Sequence, residues 1–429
     1  MMIQRPIYSK ITKWLDTNKI ILLIGARQVG KTTLLQSIQQ KLQERDENTL
    51  YIPVDDEPQK DYYKSTNAFL AYLKKAHGLE STKKLFVFLD EIQYLSEAGR
   101  FLKTVFDAAK RQQYNLQLIV SGSSALQLTK NAGYLTGRKI EFTIHHFSFF
   151  EYLQSASEYS YSQKIPLNNK DLAPFYADFK NDLEHHFTTF AYWGGYPEVV
   201  TTNEREKKYQ ILSEIVKTYI DEDIRGLLHV EHVTGFLNLI SILASQTGNL
   251  MNKYEIRNTL NMHNRTLDKY LAILQGTYLF DYVRPHFTNL RKELTKMPKV
   301  FAQDMGMIAH TLQLAPPQDY RLLQGALIEN VIYTELIKQL PDYAQIKFYR
   351  TVSGAEIDFI VDFRNALLPI EVKFRKKTRT IPVAMKNFAE NESRKTVRPI
   401  IVTQDYLHID DHTVFIPAVI FPFIDLNQQ

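Results

Sequence analysis

Two short stretches of the 429-residue chain carry residue types that could do chemistry: GARQVGKT at residues 25–32 and GAEIDFIVDFRNALLPIEVKFR at residues 354–375. The first has the pattern G-x-x-x-x-G-K-[ST] at every fixed position, after five apolar residues and before a helix-compatible run. Gly25 and Gly30 let the backbone curl so that the N–H groups of Ala26, Arg27, Gln28, Val29 and their neighbours point inward at phosphate oxygens. Lys31 supplies a point charge for the β- and γ-phosphates, and Thr32 offers a hydroxyl to Mg²⁺, with Thr33 next in the same turn. The ligands this pattern predicts are ATP and Mg²⁺.

A second run, LFVFLDEIQYL at residues 85–95, ends a predicted buried strand in two acids. Asp90 is placed to hold Mg²⁺ through water, and Glu91 to polarise an attacking water, which predicts hydrolysis rather than binding alone. VSGSSA at residues 120–125 closes a third strand, where Ser121 or Ser123 could sense the γ-phosphate or simply form a turn. Arg138 follows soon after. It could form an intrachain salt bridge, face solvent, or complete the nucleotide site of an adjacent subunit in a ring.

The second stretch poses a different problem. Glu356 and Asp358 lie two apart on one predicted strand, and Glu371 and Lys373 lie two apart on the next, so each pair shares a sheet face. Glu329, on the helix before them, is a natural fourth member. Charges within otherwise apolar strands are costly unless paired or metal-bound. Carboxylates meeting at one point repel without a cation, and Mg²⁺ prefers oxygen ligands. The expectation is therefore a metal site of Glu329, Asp358 and Glu371, with Lys373 orienting water or steadying a pentacovalent phosphate, for phosphodiester hydrolysis. The competing reading is a cross-strand ion pair.

The elements that must position these residues follow from the pattern. Between residues 20 and 150, apolar runs at 20–24, 50–54, 85–89, 116–120 and 140–144 alternate with amphipathic segments, the signature of a parallel sheet flanked by helices. The pattern fades from about 154 to 182, which predicts a loop, and helical periodicity returns from Lys207 to about Gln246. Residues 252–286 read helix, turn, helix, strand, with a hairpin-like YLFDYVRPHF, the order of a winged helix. Asn264, Arg265 and Lys269 on its second helix could enter a DNA groove, or the unit could pack on a neighbouring domain. The last third predicts the order α-β-β-β-α-β. The expected division is 1–150, 151–245, 246–300 and 301–429.

Composition sets the bounds. With 44% hydrophobic and 23% charged residues the chain has the balance of a folded globular protein. The absence of cysteine excludes disulfides and cysteine zinc sites. The net charge of +5 tolerates a nucleic-acid partner without requiring one. Basic runs at 373–379 and 289–299 could contact phosphates, although such runs are usually solvated faces. The apolar stretches are too short to span a bilayer, so a soluble, cytoplasmic protein without a membrane partner is expected.

Taken in order, GARQVGKTTLL, FLDEIQYL, SGSSA, LTGRKIEF, FSFFEYL, GGYPEVV, YIDEDI, PKVFAQDMGM, GALIENVIYTEL and the final Glu-x-Asp and Glu-x-Lys resemble a bacterial and archaeal family along nearly the whole chain. Its members are AAA+-type P-loop ATPases with a winged helix and a C-terminal domain of PD-(D/E)xK restriction-endonuclease-like fold. The resemblance implies an α/β protein that binds and hydrolyses ATP at Gly25, Gly30, Lys31, Thr32, Asp90 and Glu91. It also implies a nuclease-like core at Glu329, Asp358, Glu371 and Lys373. The expected function is an ATP-driven protein that contacts DNA, with a Mg²⁺-dependent nuclease domain or, alternatively, a switch whose C-terminal domain docks DNA or protein without cutting. A third expectation is a protein-remodelling ATPase.

Overall fold

The computed structural model describes residues 3–95, 97–122, 135–161, 164–228, 230–287, 289–351, 353–374 and 379–426. These form two compact units, one of residues 2–145 with 276–278, the other of 146–275 with 279–429. The break between them falls at residue 145, near the first expected boundary at 150.

The N-terminal unit is built on five strands: β1 (Ile20–Ile24), β2 (Asn48–Pro53), β3 (Leu85–Asp90), β4 (Leu116–Gly122) and β5 (Lys139–Thr143), all paired in parallel in the order β2-β3-β4-β1-β5. Alternation along these strands feeds two cores. Ile20, Leu22, Ile24, Leu85, Val87 and Leu89 pack on one face, and Ile21, Leu23, Phe86, Phe88 and Ile119 on the other. On β1, β3 and β4 both faces are covered, and these strands read as continuous apolar runs, which is why the sequence located them closely. Helices Lys31–Gln43 and Ala98–Arg111 supply Leu35, Ile38, Leu102 and Val105 to these layers.

The second unit begins with helices. Residues 154–182 are not one loop: Asn169–Trp193 is a 25-residue helix capped by Asn168. Leu172, Tyr176, Leu183, Phe187 and Phe190 form its buried stripe, a helical spacing diluted by polar residues on the exposed face. Helices Arg205–Thr218 and Val233–Ser245 follow, joined by a π-helical segment, Tyr219–Leu227, that holds the YIDEDI motif. GGYPEVV and QDMGM interlock. Asp304 caps helix Met305–Thr311 through the Met307 N–H at 3.1 Å and accepts the Gly195 N–H at 2.7 Å. A Cβ on Gly195 would fall on the Phe147 carbonyl, so only glycine allows this approach.

Helices Lys253–Leu260 and Asn264–Gly276 flank a turn in which Asn261 takes the left-handed conformation. The expected hairpin at 278–287 is wider than its sequence suggested. Strand β6 (Phe280–Val283) pairs with β7 (Lys299–Ala302), and the short helix Leu290–Thr295 lies between them.

The C-terminal sheet holds β8 (Gln345–Arg350), β9 (Glu356–Asp362), β10 (Ala366–Val372), β11 (Lys395–Thr396), β12 (Ile400–Thr403), β13 (His408–Ile409) and β14 (Val414–Pro417). Its main path runs β13-β14-β12-β10-β9-β8, with β11 on β10. The pairs β10–β12 and β12–β14 are parallel, while β8–β9 and β9–β10 are antiparallel. Helix Val383–Asn391 covers one face through Met385 and Phe388, against Ile357, Ile360 and Ile401. The α-β-β-β-α-β order is present, extended by β11, β13 and β14.

Candidate functional sites at two strand ends

The loop after β1 turns through Gly25 (φ 154°), Gln28 (φ 59°) and Gly30 (φ 89°) before helix Lys31–Gln43 begins. A Cβ at Gly25 would land on the carbonyl oxygen of Ile144, so the turn passes too close to that backbone for any side chain. Lys31 is buried and donates to the carbonyls of Gly25 (3.2 Å) and Ala26 (2.6 Å), at the mouth of the loop. Ala26, Arg27, Gln28 and Val29 form the rim between, and Thr32 and Thr33 lie in the first helical turn.

Asp90 ends β3 with only 3% of its surface exposed. The Ser121 hydroxyl donates to its Oδ1 and the Tyr51 hydroxyl to its Oδ2. Burial, with the Asp90 carboxylate alongside, holds the Tyr51 proton well above its ordinary range. Glu91 adopts a left-handed backbone (φ 54°), its N–H donates to Ser121 Oγ at 3.0 Å, and its carboxylate accepts from the Gln93 amide. Ser121 is fully buried, donating to the Asp90 carboxylate and accepting from the Glu91 backbone N–H. Ser123 lies outside the described residues.

The arrangement fits a nucleotide with its ion: a cradle closed to any side chain at Gly25, a buried ammonium at its mouth, and an acid oriented by two hydroxyl donors. Arg138 forms the intrachain salt bridge that was one of its three readings. Its Nε and Nη2 grip Asp107 at 2.7 and 3.0 Å, a fork within its own chain that holds the Asp107 carboxyl below its usual range.

In the second unit the structure brings Glu329, Glu356, Asp358, Glu371 and Lys373 to one end of the sheet, and adds Lys299 at their centre. Lys299 begins β7, with 3% of its side chain exposed. Its Nζ lies 3.0 Å from Glu329 Oε1, 2.5 Å from Glu356 Oε1 and 3.6 Å from Asp358 Oδ1, and 5.6 Å from the Phe348 ring centroid. The sequence places Lys299 at the end of a basic run suited to phosphates, yet it is buried among acids. Of the other run, residues 375–378 lie outside the described residues.

The local reason is visible in GALIEN. The Asn330 amide accepts from Ala302 N–H (2.8 Å) and donates to Ala302 C=O (3.0 Å), acting as a strand edge for β7. That clamp fixes helix Gly325–Gln339 against β7 and sets Glu329 beside Lys299. Strands β9 and β10 separate beyond Phe359 and Ile370, and side chains replace the ladder: Asp358 N–H donates to Glu371 Oε2 at 3.1 Å, and Val372 N–H to Asp358 Oδ2 at 2.8 Å. Lys373 donates to Glu371 Oε1, and Arg350 to Glu356 Oε2 at 3.0 Å.

Burial raises Glu329 to about 8, Asp358 pushing the same way and Lys299 opposing. Burial likewise raises Glu371 to about 7, against the pull of Lys373. For Lys299, burial alone would lower the pKa, but Glu329, Asp358 and Glu356 together raise it, so the ammonium stays charged.

These acids do not fit the Mg²⁺ that the resemblance implies. The point that Glu329, Glu356 and Asp358 share is taken by an ammonium, and the second oxygens of Glu356 and Asp358 and both of Glu371 face Arg350, Lys373 and backbone N–H groups. Among the described residues, no group of three or more His, Cys, Asp or Glu is arranged to hold a metal ion. Sequence reasoning missed Lys299 as a member of this cluster. The available signal was a lysine opening an apolar strand, KVFA, where an unpaired charge has no place.

Residues 17–153 match the family model described as an AAA domain. Residues 184–318 and 324–421 match two models described as domains of unknown function, DUF8612 and DUF4143. An uncharacterized protein of Haemophilus influenzae is 26% identical over 383 residues, covering 87% of each chain. The uncharacterized protein MJ1637 of Methanocaldococcus jannaschii is 25% identical over 426 residues, covering 95% of this chain and 86% of its own. Among solved structures, a RuvB variant of Thermotoga maritima aligns with a TM-score of 0.32 at 15% identity, covering 68% of this chain and 95% of that one. Likeness that faint carries no functional weight. The AAA-domain match falls on the N-terminal unit, over its five-stranded parallel sheet and P-loop. No helix among the described residues is long and apolar enough to cross a membrane.

Proposed function

We propose that the chain is an ATP-hydrolysing protein that couples nucleotide turnover to contact with DNA. The observation that carries the first half is the Ser121-Asp90-Glu91 arrangement beside the buried Lys31. An acid held by the Ser121 hydroxyl, followed by a second whose backbone the same hydroxyl anchors, is set for hydrolysis rather than storage of nucleotide. Lys31 and the loop N–H groups bind the phosphates, Thr32 and Asp90 hold Mg²⁺, and Glu91 orients the attacking water. The ion supplies charge neutralisation on the transferred phosphoryl group. Steady-state phosphate release from the purified protein tests this; the reading fails if Lys31→Ala and Glu91→Gln turn over ATP as fast as the parent.

The DNA half rests on the helix-turn-helix. Leu267, Tyr270, Leu271 and Leu274 bury one face of helix Asn264–Gly276, leaving Asn264, Arg265 and Lys269 exposed. Beside them Arg257 stacks on the exposed Tyr254 ring at 4.9 Å, a base-like pairing of cation and aromatic face. Between β6 and β7, Arg291, Lys292 and Lys296 surround the exposed Leu294 and Met297. An exposed, basic second helix with a basic wing is the footprint of duplex contact. Duplex binding measured across a salt series should show a steep loss with salt, and Arg265→Glu with Lys269→Glu should flatten that slope. Binding indifferent to both would redirect the search toward a protein partner.

A further inference from the structure

We infer that Lys299 supplies from within the chain the positive charge that a divalent ion would supply in a cutting enzyme, so the C-terminal acid cluster is a latch and not a nuclease centre. Seven of the eight carboxylate oxygens of the cluster are already engaged. Glu329 Oε1, Glu356 Oε1 and Asp358 Oδ1 face Lys299 Nζ; Glu356 Oε2 faces Arg350; Asp358 Oδ2 faces Val372 N–H; Glu371 Oε1 and Oε2 face Lys373 and Asp358 N–H. An ion entering here would have to share the site with a buried ammonium, 3% exposed beside the Phe348 ring, or displace it.

The backbone fixes where that ammonium is presented. Lys299 is paired to Val283 across the β6–β7 hairpin and bridged to Leu250 on its other side, while Asn330 holds Ala302 three residues on. The ammonium therefore sits on a strand fixed at both edges. Through that strand the cluster ties the hairpin carrying the basic wing to helix Gly325–Gln339 and to β9. The consequence is a DNA-facing wing anchored rigidly to the C-terminal sheet, in a domain that holds a duplex without cleaving it.

The test uses the full-length chain free of nucleotide, with Mn²⁺ as the probe, by calorimetric titration and by thermal midpoint. The parent should take up no stoichiometric Mn²⁺ that Glu371→Gln removes, and its midpoint should not move with the metal. Lys299→Met, nearly the same length without the charge, should gain a single Mn²⁺ that raises its midpoint and that Lys299→Met/Glu371→Gln loses. Stoichiometric uptake by the parent, abolished in Glu371→Gln, overturns the inference. So does a folded Lys299→Met that takes up none. Should Lys299→Met fail to fold without metal, its rescue by Mn²⁺ during refolding supports the inference and its failure to be rescued counts against it. The parent titration is decisive in either case, and none of these outcomes bears on ATP turnover.

Discussion

The chain carries two sets of acids at the ends of two sheets, and they are treated in opposite ways. Asp90 and Glu91 at the tip of β3 are met by neutral donors, the hydroxyls of Ser121 and Tyr51 and the Gln93 amide. Glu329, Glu356, Asp358 and Glu371 are met by Lys299, Lys373 and Arg350. A hydroxyl orients a carboxylate and leaves its charge for an incoming cation; an ammonium at 2.5–3.6 Å consumes it. Residue type at a strand tip thus says little about whether a metal will bind there. The charge of the partner says more.

The largest effect expected from this contrast is on stability. Lys299→Ala leaves three carboxylates facing one another in a buried site, and removal of one partner from such a cluster costs about 3–5 kcal/mol. Denaturant midpoints should fall accordingly, and Lys299→Ala/Glu356→Gln should recover part of the loss. The equivalent change at the other site, Lys31→Ala, should leave the denaturant midpoint close to the parent, because Lys31 donates to neutral loop carbonyls. Its effect belongs to turnover, where loss of one charged donor lowers kcat by roughly 10²–10³-fold. If the two variants exchange these phenotypes, the comparison is wrong.

How far the sequence foretold this differs between the sites for a physical reason. The P-loop, the acids on β3 and the strands β1, β3 and β4 were legible because each is local: a loop between a strand and a helix, and runs of apolar residues buried on both faces. Period and spacing also gathered Glu329, Glu356, Asp358, Glu371 and Lys373, since residues two apart on a strand share a face. Lys299 escaped because its role is set by Asn330 and by the pairing of β6 with β7, contacts of long range in sequence. The 25-residue helix at Asn169–Trp193 escaped for a different reason: its buried stripe is narrow and its exposed face is rich in Asn, Asp and Lys. Arg138 could be weighed but not decided, since Asp107, 31 residues upstream, is its partner only once the helix and strand are packed.

A smaller effect is expected from Ser121→Ala, which sharpens the claim that hydroxyls orient the β3 acids. The change removes a donor from Asp90 Oδ1 and strips the Glu91 N–H of the acceptor it has in Ser121, a loss of about 1–3 kcal/mol. Expressed in turnover, kcat should fall by roughly tenfold while the KM for ATP holds. A serine that touched the γ-phosphate directly would instead weaken nucleotide binding, so a raised KM with kcat preserved would count against the orienting role.

Asp304 provides the control between the two sites: a wholly buried acid whose short-range partners are backbone N–H groups, those of Gly195 and Met307 among them. Burial raises its pKa to about 6, the N–H groups and, more distantly, Lys338 pulling the other way. Its folded-state value lies above the ordinary carboxyl value, so the folded chain binds this proton more tightly than the unfolded one. The stabilisation is complete below pH of about 4 and is lost as pH rises through about 6. Asp304→Asn, which keeps one acceptor and cannot ionise, should show a smaller fall in thermal midpoint across that window than the parent. An unchanged slope would mean that the backbone donors alone suffice to carry the charge, and hydroxyls at Asp90 would then need no special part in keeping that acid ready for a cation.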